Sequence, residues 1–411
     1  MTTSRRIFIQ FLIGLSLFAV TAAGQDEQKW TEQTQLEFLK RHWNIPVRPQ
    51  GRAPAGWSES EISLSPDSCG GCHPQQFKDW KTTVHSRAVG PGLLGQMPTL
   101  LRKEPATTTV CYSCHAPLTE QQELVSVGVR MKKNTQFDET LQRQGLTCAG
   151  CHVRAYQRFG PPRRDGSLAN LKPSARLPHG GAIRTPAFER AEFCAGCHQF
   201  EPNGNTLNGK PLENTYNEWK NSPYAAQGIQ CQQCHMTDRR HLWRGIHDRE
   251  MVRNGVNVDL RLNRQSYAKG ETLEATLILT NSGVGHYFPT YVTPKIVLRM
   301  ELIDAAGHVV SNSTEEDIVG RQVTLSLDGE IADTRIAPKA EHRFRYVRTV
   351  DRTGLRIRAQ VIVCPDDFYA RFYEAKLAGR LSNVERRLLL QALNDTRISV
   401  YKIFEKEVAL L

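Results

Sequence analysis

Long apolar runs are nearly absent from these 411 residues. The one candidate, Ile7 to Val20, carries Gln10 and falls short of the ~20 residues that a membrane-spanning helix needs. Arg5 and Arg6 precede it, and Thr21-Ala22-Ala23 leads to a polar start at Gln25, so residues 1–24 read as a removable secretory signal. Membrane association is then expected only through an uncleaved N-terminus. Ser4-Arg5-Arg6-Ile7-Phe8 also resembles a twin-arginine signal. No cysteine stands directly after residues 1–24, which argues against a lipid anchor. Basic clusters with interleaved aromatics are lacking as well, so the formal charge of +11, two lower once Arg5 and Arg6 leave, does not point to nucleic acid. Outside one repeated pattern the chain has a single cysteine, Cys364, set in the apolar stretch Val361-Ile362-Val363 and expected in a core.

That pattern is C-x-x-C-H, and it occurs five times: Cys69/Cys72/His73, Cys111/Cys114/His115, Cys148/Cys151/His152, Cys194/Cys197/His198 and Cys231/Cys234/His235. It is the attachment sequence of a c-type haem. Two thiols at this spacing can each add to one vinyl group of the same porphyrin edge, and the following imidazole reaches the iron from one face. With 11 Cys and 13 His in the chain, chance would supply roughly 0.01 copies. Zinc ribbons space their cysteine pairs by about 15–20 residues, whereas these motifs start 42, 37, 46 and 37 residues apart. A thioredoxin-like site needs one pair, not five. Five covalent haem c groups are therefore expected. Their propionates account for much of the positive charge, and haem addition outside the cytoplasmic membrane agrees with export.

The length suggests two domains or three, and the patterning suggests where they divide. After the signal, residues 25–66 read as an amphipathic helix over 26–44, with Leu36, Leu39 and Trp43 on one side and His42 as a surface or packing residue. An extended lead-in rich in proline follows. Residues 67–250 form a mainly α, loop-rich multihaem domain. Residues 251–411 alternate as strands at 256–262, 272–280, 295–303, 343–350 and 355–363, which predicts an antiparallel β-sandwich. A helical insertion at 367–379 and 382–394, the second opened by a Ser382/Glu385 capping box, precedes a last strand at 396–404. The fold class is thus α+β multidomain.

Five irons need five sixth ligands, and His85, His179, His241, His247 and His286 are the candidates, since histidine is a common haem ligand. His85 follows a helix opened by Pro74, on which Phe77, Trp80 and Val84 share a face. It lies roughly 18 Å from His73 along a helix, too far to share its iron. His241 and His247 are six residues apart and face different directions on a helix. His308 and His342 sit in turn or strand contexts and read as structural.

The first motif with Phe77, Trp80 and His85 resembles the opening of the multihaem cytochrome c-554 (c-552/4) family. The resemblance implies that His85 crosses to a haem bound later in the chain and places it opposite His152. Thr215-Tyr-Asn-Glu218-Trp219-Lys220-Asn-Ser222-Pro-Tyr224 is similar to another segment of such cytochromes. Set beside Asp79-Trp80-Lys81-Thr-Thr83-Val-His85, it reads as an internal repeat with Tyr224 in the place of His85. Asn281-Ser-Gly283-Val-Gly285-His286-Tyr-Phe-Pro289-Thr290 is similar to a loop in cytochromes that carry a C-terminal sandwich.

The expected function is a periplasmic or cell-surface pentahaem electron carrier that works between redox partner proteins. All five motifs end in His, which counts against the nitrite reductases that use C-x-x-C-K. The other expectations kept open are a haem enzyme with one open iron acting on small nitrogen oxides, and a homo-oligomeric unit of a cytochrome filament.

Overall fold

The chain, a computed structural model, is described over residues 30–128, 130–168, 177–202 and 204–410. The predicted signal at residues 1–24 lies outside the described residues. Among those described, no helix is long and apolar enough to cross a membrane.

The first part of the molecule is a string of short helices, and five of them carry the motifs. Pro66–Cys72, Pro105–His115, Cys148–His152, Glu192–His198 and Cys231–His235 each end at or one residue before the motif histidine. Their starts are set locally. Pro66 and Pro105 occupy first-turn positions that need no N–H, and the Thr147 hydroxyl accepts the Gly150 N–H. In a helix, residues three apart lie on one side, so each pair of thiols faces the same way.

The leading helix runs Glu32–His42 and buries Phe38, Leu39 and His42, whereas Leu36 is exposed. Leu36 was expected on the inner face; the aromatic cluster of Phe38 with Phe188, Trp43, Phe159 and Phe193 takes that face instead. Apolar residues here form several small clusters, not one continuous core.

The second part is the expected sandwich. Its strands are β1 Val256–Leu262, β2 Thr272–Asn281, β3 Lys295–Ile303, β4 Glu315–Val323, β5 Glu330–Asp333, β6 Glu341–Thr349, β7 Arg356–Cys364 and β8 Tyr401–Ala409. One sheet has the order β5-β4-β3-β7-β8 and the other β6-β2-β1, with every pairing antiparallel. Leu273, Ala275, Leu277 and Leu279 point inward from β2, and Ile357, Ala359, Val361 and Val363 from β7, at the period of two that a half-buried strand requires. Cys364 ends β7 half-buried, out of phase with that inward set, so the sequence expectation of a core cysteine is corrected.

Between β7 and β8 the chain leaves the sandwich as two helices, Asp367–Leu377 and Asn383–Ile398. They pack on the segment between the first two motifs. Thr99 Oγ1 donates to Glu385 at 2.7 Å, and Tyr373 lies so close to Gly92 that a Cβ there would sit 1.9 Å from its hydroxyl. The Ser382/Glu385 capping box is present as predicted.

Candidate haem-binding sites

A cavity of about 1840 Å³ runs through the helical part and is lined by the cysteines and histidines of the first four motifs. A pocket for one drug-sized ligand is about 300–1,000 Å³, so this space suits more than one large group. Thiols of different motifs meet within it. The free thiols of Cys69 and Cys148, of Cys114 and Cys197, and of Cys194 and Cys231 lie within hydrogen-bonding reach of each other. The first motif therefore lies beside the third, the second beside the fourth, and the fourth beside the fifth.

The hydrogen bonds of the histidines sort them into two kinds. Nδ1 of His115 contacts the carbonyl of Ala88 at 2.6 Å, that of His152 Phe159 at 2.7 Å, and that of His235 Arg244 at 2.6 Å. Nδ1 of His179 contacts Gly181 at 3.0 Å, that of His241 Arg239 at 3.1 Å, and that of His286 Tyr287 at 2.8 Å. A carbonyl can only accept, so the proton sits on Nδ1 and Nε2 presents a lone pair, the tautomer a metal ligand needs. The opposite holds for His42, His247 and His342. Their Nε2 atoms contact the Cys151 carbonyl (2.8 Å), Asp366 (3.0 Å) and Asp317 (2.7 Å). His308 is exposed beside Asp304.

Ring spacing separates the ligand-like set further. A His–metal bond of about 2 Å plus about 1.1 Å from Nε2 to the ring centre would put two imidazoles that share one iron roughly 6.2 Å apart. His85 and His198 stand 6.4 Å apart, His152 and His241 6.2 Å, and His235 and His286 6.3 Å. His85 thus faces His198, which corrects the pairing with His152 that the resemblance implied; the Arg240-His241 loop holds that place. His247 also departs from expectation, since Asp366 occupies the nitrogen an iron would need. At this spacing, no imidazole stands opposite His73 or His115 among the described residues.

Burial keeps these rings neutral. It holds His85 at about 3 and His152 and His286 at about 4, and it lowers His115, His235 and His241. His198 differs: burial opposes its charge, but the Glu213 carboxylate, 3.8 Å from Nδ1, raises it overall. His42, held at about 3 by burial, packs among Phe38, Phe159, Phe188 and Phe193 and secures the backbone of the third motif.

The internal repeat is visible as matched hydrogen bonds. Trp80 Nε1 donates to the Leu146 carbonyl and Trp219 Nε1 to that of Ile229, both at 2.8 Å and both two residues before a motif's first cysteine. Leu146 N–H donates to His85 O, and Ile229 N–H to Tyr224 O, each at 3.0 Å. Tyr224 therefore has the backbone role of His85. Its hydroxyl instead donates to Ser282 O at 2.9 Å, at the base of the loop that brings His286 to His235. Gly283 permits this approach, because a Cβ there would lie 2.9 Å from Asn254 O. Sequence reasoning passed over the carboxylates Glu61, Asp79, Glu213 and Glu218; an acid directly before the tryptophan in both repeats was the available sign.

Comparison with known proteins agrees with this donor set. The family model described as cytochrome c554 and c-prime matches residues 68–139 and 147–236, which contain all the C-x-x-C-H motifs. The crystal structure of a penta-heme cytochrome c552 from Thermochromatium tepidum aligns over 85% of this chain and 99% of its own, at 16% identity and a TM-score of 0.57. That likeness concerns the fold. The CARDB domain of the PF1109 protein from Pyrococcus furiosus aligns over 26% of this chain and 67% of its own, with 17% identity and a TM-score of only 0.17. No curated protein matches. Through residues 68–139 and 147–236, where thiol pairs and Nε2-free imidazoles coincide with the matched family model, the chain is similar to the multihaem cytochrome c554 family.

Proposed function

We propose that the chain is an exported pentahaem electron carrier, periplasmic or at the cell surface, that works between a donor protein and a terminal reductase or external acceptor. The observation that carries this reading is the set of three imidazole pairs at 6.2–6.4 Å. Bound haem c supplies one-electron chemistry, and closing both axial positions with histidine favours lower potentials than Met/His ligation and leaves no place for substrate. The chain attaches, orients and buries. Adjacent thiols put the first site beside the third and both the second and the fifth beside the fourth, and Cys151 of the third motif is close enough to Cys194 and Cys197 of the fourth to be felt by them.

For the first motif we assign His179 as the opposite ligand. Its Nε2 is free, it lines the same cavity as His73, and Glu61, which accepts its N–H, is tied through Arg158 to the neighbourhood of Cys69. Glu213 beside His198 strengthens that ligand toward the oxidised iron, as second-partner carboxylates do. Glu213→Gln should therefore raise one midpoint potential by tens of mV, about 60 mV for each tenfold loss of ferric over ferrous preference. Spectroelectrochemical titration reads this, and unchanged potentials would remove Glu213 from the account.

One observation favours a second reading for the second motif. With His247 held by Asp366, its iron is expected to be open to small ligands such as nitrogen oxides, making the protein an enzyme at that position. Mass spectrometry of the mature protein together with a magnetic count of spin states tests both readings. Five added haems with four low-spin irons and one high-spin iron is the expected result. Fewer than five haems would overturn the carrier, and five low-spin irons at every concentration would overturn the open site. A high-spin iron that vanishes as the protein self-associates would show that a neighbouring protomer supplies the ligand.

A further inference from the structure

Three ligand-bearing loops share a device. The loop of His241 is held by Asp79, which is 3% exposed: the His241 N–H donates to its Oδ2 at 3.1 Å, and Arg240 binds it with two guanidinium contacts of 2.6 and 2.7 Å. The loop of His286 is held by Glu218, which is 7% exposed: the Tyr287 N–H and the Thr290 hydroxyl donate to its Oε2 at 3.2 and 3.3 Å, and Arg335 to Oε1 at 2.7 Å. The loop of His179 is held by Glu61, whose Oε1 accepts the His179 N–H at 2.7 Å. Asp79 and Glu218 occupy the same place in the internal repeat, each directly before the tryptophan that anchors a later motif.

These loops need holding. All three histidines lie outside α-helices and strands, and His179 has φ 42°, a left-handed backbone that non-glycine residues adopt at a cost. The motif histidines, by contrast, end or cap helices that fix them without further help.

We propose that Asp79, Glu218 and Glu61 are positioning residues that clamp the backbones of the His241, His286 and His179 loops, and thereby keep a sixth imidazole on each of three haems. The repeat then has two functions: its tryptophan secures the approach to a motif, while its acid secures the loop that caps a haem. This inference rests on the ligand assignment above, and the test separates the two.

The test uses the haem-loaded protein with Asp79→Ala and Glu61→Ala beside His241→Ala, comparing cyanide binding, the spin-state spectrum and midpoint potentials. His241→Ala should open one iron fully. Asp79→Ala should keep all haems yet speed cyanide binding at one of them at least tenfold and raise its potential, with Asp79→Glu restoring much of the loss. Glu61 is half-buried and belongs to no apolar cluster, although it also caps the short helix Glu59–Ile62, and its loss should do the same at the haem opposite His179. If His241→Ala opens an iron while Asp79→Ala and Glu61→Ala bind cyanide at the parent rate, the clamp is overturned. If His241→Ala itself changes nothing, the ligand assignment falls instead.

Discussion

Replacing His85 by alanine should turn one low-spin haem high-spin and raise its midpoint potential by on the order of 100 mV, within the ~0.8 V range that axial ligands command. The expectation is clean because of what the substitution leaves in place. The backbone carbonyl of residue 85 accepts the Leu146 N–H, and alanine keeps that bond. Nδ1 of His85 has no hydrogen-bond partner, so none is orphaned elsewhere. What disappears is the ring 6.4 Å from His198, together with its edge contact to Trp243. His247→Ala is the companion variant. With its Nε2 on Asp366, it should leave every spin state unchanged. Resonance Raman spectra of the two proteins decide the matter: a low-spin His85→Ala protein, or a new high-spin band in His247→Ala, would reverse the assignment.

Arg321→Met should lower stability by about 3–5 kcal/mol, the usual cost of removing one member of a buried pair. The Arg321 side chain is fully buried in β4. Its Nε donates to Glu330 at 2.8 Å, Nη1 to Pro211 O at 2.7 Å, and Nη2 to Leu207 O and Lys210 O at 3.0 and 3.1 Å. Those carbonyls belong to the small hairpin of Thr206–Leu207 and Lys210–Pro211, in the haem-bearing half. One guanidinium thus joins the two halves. At roughly 2–4 °C per kcal/mol for a domain of this size, the melting temperature should fall by roughly 6–20 °C. Removing Glu330 as well, by a second change to Met, should recover little of the loss, because Glu330 also holds Lys210 at 2.9 Å and the Leu207, Lys210 and Pro211 carbonyls stay unpaired. A shift below about 1 kcal/mol in urea unfolding would mean that the joint is held elsewhere.

Particular residues show why some of this was readable in the sequence and some was not. Strands such as β2 announced themselves because Leu273, Ala275, Leu277 and Leu279 alternate with Thr272, Glu274, Thr276 and Thr280, Ile278 alone breaking the pattern. β4 did not, because Glu315-Glu316-Asp317 opens it and Arg321 puts a charge at a buried position. The pattern was broken by the very residue that links the halves. The haem attachment points were legible because thiol and imidazole must be neighbours along the chain. Sixth ligands obey no such rule. His85 stands 6.4 Å from His198 although more than a hundred residues separate them, so only folding reveals the neighbour. The difference between His241 and His247 lies in which ring nitrogen is free, and that depends on Asp366, far along the chain.

The two helices that close over Gly92 and Thr99 also set an order of events in manufacture. Thr99 and Glu385 are 286 residues apart along the chain. At about 5–20 residues per second, the later one is made roughly 15–60 s after the earlier. During that interval the second motif has emerged, but its cover has not. The clasp is therefore the last part of that motif's cradle to be made.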